Sequence, residues 1–110
     1  MPTNESAELC AALDTELGLP LLALIANQVV PLLFDGAVAS SVAALEEPSG
    51  TDAASQALAA GIRRAAREEV QTECLQRLAG LGAPLLQLPF LPEGAASLGA
   101  IGKLVHALQG

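Results

Sequence analysis

The sequence predicts an α/β fold, a partial doubly wound parallel sheet of two short parallel strands with about four flanking helices, forming the edge portion of a larger sheet. Three observations carry this. Two short apolar runs, residues 21–26 ("LLALIA") and 85–88 ("LLQL"), are strand-length and bounded by Pro or Gly. The stretches around them repeat apolar residues at spacings of three and four, which is helical. Strand–helix–strand alternation implies parallel pairing through a crossover. A stable sheet needs three or more strands, and a parallel sheet needs cover on both faces, so two strands read as part of something larger.

The elements follow in order. Residues 5–17 read as a helix with Leu9, Cys10, Leu13 and Leu17 on one face, capped by Thr3 or Asn4 and ended by Gly18. Residues 21–26 enter through Pro20 as a strand, apolar on both faces. Residues 37–47 form an Ala-rich helix, and "EPSGTD" (47–52) is a loop whose Thr51 or Asp52 caps the next element. Residues 53–80 are the longest helix, with Leu58, Ile62, Ala66, Val70, Cys74, Leu78 and Leu81 as its stripe, and "GLGAP" stops it. After the strand at 85–88, residues 97–108 form a last helix with Leu98, Ile101, Val105 and Leu108 on one face.

At 110 residues the chain reads as a single domain. Its composition, 52% hydrophobic but 2% aromatic, holds more apolar material than a domain of this size easily hides, so some is expected to pack against a partner. A net charge of −7 argues against nucleic acid and anionic membrane surfaces, which attract basic patches. Cys10 and Cys74 lie far apart with no Cys/His cluster, so no metal site is expected, and buried free thiols suit a reducing, cytoplasmic setting. The start lacks a signal-peptide pattern, and no apolar run is long enough to insert in a membrane.

In open parallel sheets, ligands sit outside the carboxyl ends of the strands. Asn27 and Gln28 stand at that end of the first strand, and Pro89 to Ala96 at that end of the second. A carboxamide offers a donor and an acceptor together, as the edge of adenine requires. A proline-bearing loop offers apolar contact to a flat base. The plainer alternative is that Asn27 caps a turn and the prolines only break the strand. "SLGAIGKL" (97–104) is not a phosphate loop: Ser97 stands at the first glycine of GxxxxGK[ST], Leu104 at its hydroxyl, and the stretch lies inside a helix. Arg64 with Glu68, and Glu73 with Arg77, read as pairs on a solvated helix face. His106 has no serine–acid pattern beside it, and Glu46 and Glu47 would diverge on a helix, so no catalytic residue is expected.

Four phrases in order resemble the C-terminal part of the anion-transporting ATPases, the family of the arsenical pump-driving ATPase and of the ATPase that delivers tail-anchored membrane proteins. "TNESAELCAAL" is similar to a helix opening on "NET" or "YET". "LIANQVVP" is similar to a strand ending in "VVNQ" or "VVNR". "VQTECLQRL" matches "Q..YL..L", and "APLLQLPFLPEGAASLGAIGKL" matches "VPVV.LPLL..EVRG…L". The resemblance spans about Pro2 to Leu108 and implies the edge portion of a P-loop NTPase-like domain. It implies that Asn27 reads adenine and that Pro89, Phe90, Leu91, Pro92 and Glu93 wrap the base and ribose of ATP or ADP. The family's phosphate loop, switch regions and catalytic aspartate are not among these residues. Magnesium is therefore expected only together with a missing N-terminal half. Ala96 and Ser97 replace the family's Arg-Gly, and the cysteines that bridge some family dimers through zinc are absent. Met1 coincides with the family's "MP.NE" phrase, so a fragment or a mis-set start is the expectation.

Two functions follow from this. One is the adenine-nucleotide-binding portion of such an ATPase, not catalytically competent alone and completed by an N-terminal half or a second copy. The other is a non-enzymatic interaction module that keeps the scaffold without the nucleotide. The retained Asn27 favours the first, and the lost Arg-Gly favours the second.

Overall fold

The computed structural model describes residues 3–110. They form α1 (Thr3–Thr15), β1 (Leu24–Val29), α2 (Gly36–Ala43), α3 (Ala53–Ala79), β2 (Leu85–Pro89) and α4 (Leu98–Gln109). The layout is α/β, with four helices and a two-stranded sheet whose strands are parallel neighbours. Two compact units divide the chain: residues up to Pro31 with Cys74–Gly110, and Leu32–Glu73. Both strands belong to the first unit. No helix among the described residues is long and apolar enough to cross a membrane.

In the first unit, Gly18 ends the α1 region by taking a left-handed φ of 62°, and the Leu19 N–H reaches back to the Leu13 carbonyl at 2.8 Å. Thr3 and Asn4, the expected caps, lie within the helix; Asn4 Oδ1 instead accepts from Arg77 Nη2 at 2.6 Å. Among the described residues no ion pair joins Arg77 to Glu73. The first strand begins three residues later than its apolar run suggests. Its ladder starts where the Leu24 N–H meets the Pro84 carbonyl at 2.8 Å, just after Gly82 (φ 85°) has turned the chain out of α3. The partner strand, not the apolarity of 21–23, sets that boundary.

The packing face of α4 also differs from the expected one. Ala100 is buried, with Leu104 and Ala107 half-buried on the same side. The expected stripe of Leu98, Ile101, Val105 and Leu108 is exposed, Leu98 to 89%. Alanine allows a helix backbone to approach a strand closely, and a leucine row would hold it off. Leu9 and Leu17, on the expected face of α1, are exposed as well.

In the second unit, Asp35 caps α2 by accepting from the Val38 N–H at 2.9 Å. Asp52 caps α3, accepting from the Ser55 hydroxyl at 2.7 Å and its N–H at 3.1 Å, and these bonds hold its carboxyl below its ordinary value. The buried face of α3 is Ala59, Ile62, Ala65 and Glu68, a spacing of three. Leu58, Ala66 and Val70 of the expected stripe lie exposed.

Glu68 is the main correction to the sequence reading. It is not on a solvated face but only 1% exposed. Its Oε1 accepts from the backbone N–H groups of Leu33 and Phe34, and its Oε2 lies 3.5 Å from Arg64 Nε. Charge-assisted bonds to backbone N–H groups are among the stronger kind. This carboxylate therefore pins the Leu33–Phe34 segment where the surrounding core is mostly alanine. Glu68→Ala leaves two part-buried N–H groups without this acceptor and should cost about 1–3 kcal/mol in urea unfolding. Glu68→Gln, which keeps an oxygen for the N–H groups, should cost about half as much. Equal losses from both, or a loss below about 1 kcal/mol from alanine, would show that the carboxylate pins nothing.

Candidate nucleotide-base site

The register of the sheet locates the site. Leu24 pairs with Leu85, Ile25 with Leu86 and Ala26 with Gln87, but Val29 pairs with Pro89. Asn27 and Gln28 together therefore oppose the single residue Leu88, a β-bulge. The expected strand end at residue 26 is corrected accordingly: the two amides do not follow β1 but interrupt it, and the ladder resumes beyond them. The Phe90 N–H donates to the Val29 carbonyl at 2.9 Å and closes the pairing.

Two features build the bulge. Gln28 has φ 57°, left-handed and costly for a residue other than glycine. Asn27 Oδ1 accepts from the Gln28 N–H at 2.9 Å, which supplies a partner for an N–H turned out of the ladder. The short Asn27 side chain bonds the local backbone, while Gln28 carries the left-handed φ with its own side chain outside that bond. That is a physical reason for the amide at Asn27.

Pro89 is the last residue of β2, not the first of the loop. It stands opposite Val29, and the pairing stops with the Phe90 N–H that follows it. Phe90, partly exposed, leaves beside Val29, so Asn27, Gln28, Pro89 and Phe90 share the carboxyl end of the sheet. Leu91 to Gly94 then form a tight turn, with the Gly94 N–H bonded to the Leu91 carbonyl at 2.9 Å, Pro92 and Glu93 at its centre and Gly94 at φ 76°. Glu93 is held by Lys103 of α4, Nζ to Oε1 at 2.9 Å. The hydrogen bond from that ammonium keeps the Glu93 carboxyl below its ordinary range. Because the folded-state value is lowered, whatever this exposed contact contributes is present above the unfolded value and is lost as pH falls through the folded one. The lysine of "SLGAIGKL" thus clasps the loop from inside a helix that Ser97 caps by accepting from the Ala100 N–H at 3.0 Å.

The structure therefore gathers Asn27, Pro89 and Phe90 at one sheet end and ties the turn of Leu91, Pro92 and Glu93 to α4. It adds Gln28, which sequence reasoning noted as a neighbour but did not count as a site residue. No group of three His, Cys, Asp or Glu side chains among the described residues is disposed to hold a metal. No protein-family model matches the chain, and no curated protein sequence or solved structure matches it significantly.

The bulge makes its own prediction. Gln28→Gly removes the left-handed penalty, about 1–2 kcal/mol, against the entropic cost of glycine, about 0.5–1 kcal/mol. It should leave stability unchanged or raise it by up to about 1.5 kcal/mol. Gln28→Val, β-branched at the same φ, should lower stability by about 1–2 kcal/mol. Denaturant midpoints of the two variants decide, and a valine variant as stable as the glycine variant would mean that Gln28 is not left-handed.

Proposed function

We propose that this chain is the adenine-recognising portion of a nucleotide site of the anion-transporting-ATPase type. The observation that supports it best is the bulge, which presents exposed carboxamides at the carboxyl end of parallel strands beside the partly exposed Phe90. Parallel sheets bind ligands at that end. An amide donor with an aromatic neighbour suits a purine, and ATP fits the residues here at its base only.

The chain's own residues bind and orient. Asn27 commits one lone pair of Oδ1 to the Gln28 N–H. That fixes the amide plane and leaves Nδ2 to donate to a ring nitrogen. Phe90 offers an apolar face to the base, and the Glu93–Lys103 clasp holds the loop in place. ATP would supply the phosphoryl group, and magnesium would accompany it. Their ligands must come from segments outside these 110 residues, either an N-terminal half or a second copy, because no GxxxxGK[ST] pattern is present. The portion alone does not hydrolyse ATP, and we place it in the cytoplasm.

A second reading, an interaction module without nucleotide, draws on the exposed Leu98, Ile101, Val105 and Leu108 row and on Ala96 and Ser97 where the resemblance calls for Arg-Gly. Base titration separates the two. Adenosine should shift amide resonances of residues 27–29 and 90–94 with an affinity no tighter than about millimolar, roughly −4 kcal/mol. Asn27→Asp keeps an acceptor for the Gln28 N–H but loses the Nδ2 donor. It should weaken adenosine about five-fold, one hydrogen bond's worth, and shift preference toward guanosine, whose edge donates. Equal responses to both nucleosides, unchanged by Asn27→Asp, would favour the second reading.

A further inference from the structure

We propose that Gln28 is a second specificity-determining residue of this site, and that it makes the paired, donor-plus-acceptor recognition of an aminopurine edge that Asn27 only supplements. The inference rests on the base-site reading above and extends it to a residue that the sequence places at the strand end without assigning it a role.

In a regular strand, neighbouring side chains point to opposite faces. Ahead of the bulge β1 obeys this: Ala26 is buried at 5% and Ile25 is 57% exposed. Continued alternation would carry Gln28 to the covered side with Ala26. Instead Asn27 and Gln28 are both exposed, and the half-buried Val29 resumes the covered side. The slip in register has changed the phase of the strand and placed two consecutive amides on the open side. Bulges re-aim side chains in this way, and left-handed residues other than glycine concentrate where binding requires them.

The two amides are not equivalent. The Asn27 oxygen already takes the Gln28 N–H, so its uncommitted group is the Nδ2 donor. Among the described residues, no protein group engages the Gln28 side chain, so both its donor and its acceptor face outward. An aminopurine presents an exocyclic N–H donor beside a ring-nitrogen acceptor, and one carboxamide satisfies that pair with two parallel bonds. Gln28 Oε1 accepts from the amine and its Nε2 donates to the adjacent ring nitrogen, while Asn27 Nδ2 serves another acceptor on the base or ribose. On the edge that pairs the 6-substituent with N7, a base with a carbonyl in place of the amine presents two acceptors, and Gln28 meets only one of them.

The test is adenosine titration of the full chain, followed by amide resonances, for wild type, Gln28→Gly and Gln28→Asn. Glycine and asparagine both accept a left-handed φ, so the bulge survives in each, which the unshifted resonances of β1 and β2 verify. Gln28→Gly should weaken adenosine about three- to ten-fold, as expected for loss of a net hydrogen bond or slightly more. Gln28→Asn, which restores a carboxamide one methylene shorter, should recover part of that loss. Discrimination against inosine, the same base with a carbonyl for the amine, should fall in Gln28→Gly. If wild type and Gln28→Gly bind adenosine equally, the role given to Gln28 is wrong while the base site stands. If wild type gives no response near residues 27–29 and 90–94, the base site itself fails and the role of Gln28 with it.

Discussion

The one-residue slip between β1 and β2 is the constraint on which the first unit depends. The last bond of the ladder runs from the Phe90 N–H to the Val29 carbonyl, which sets Val29 opposite Pro89. With Val29 opposite Pro89 and its carbonyl taken by Phe90, the chain between Ala26 and Val29 holds one residue too many for its partner strand. The excess is absorbed at Asn27–Gln28. Gln28 takes the positive φ, and the Asn27 side chain bonds the freed N–H. Backbone accounting thus places polar side chains at the carboxyl end of the sheet.

A second constraint is the scarcity of a conventional core. Among the described residues the buried apolar positions are five alanines with Ile62 and Leu78, while sixteen large apolar side chains are exposed. Full burial of such a side chain is worth about 1.5–3 kcal/mol, and most of that stabilisation is not realised at these positions. Alanine-lined contacts offer little hydrophobic stabilisation. Polar pins carry correspondingly more of the order: Glu68 on the Leu33–Phe34 backbone, Asp35 and Asp52 at helix starts, and Lys103 on the loop turn. Among the described residues the sheet has two parallel strands, each with one outer edge unpaired.

Element types and the parallel pairing were legible in the sequence, because short apolar runs and three-and-four spacing are local signals. The carboxyl-end placement of Asn27 and Phe90 was legible too, since it follows from strand direction. The bulge was not. It depends on which residue of β2 meets Val29, a relation across sixty residues that no local pattern records. The helix faces misled because the alanines, not the leucines, pack inward: hydrophobicity marks Leu98 and Ile101 as core, while close approach selects Ala100. Glu68 misled for a similar reason. An Arg and a Glu four apart usually pair in water, and nothing nearby in the chain announces that two backbone N–H groups thirty-five residues upstream need an acceptor.

The most direct test of the central claim, that the bulged end of the sheet reads a purine, is the pattern of intermolecular nuclear Overhauser effects between adenosine and isotope-labelled protein. The account predicts cross-peaks from the base protons to the side-chain amides of Asn27 and Gln28 and to the Phe90 ring. Cross-peaks confined to the Leu98–Leu108 face of α4, or none at millimolar nucleoside, would contradict it and leave the bulge a purely structural accommodation of Pro89.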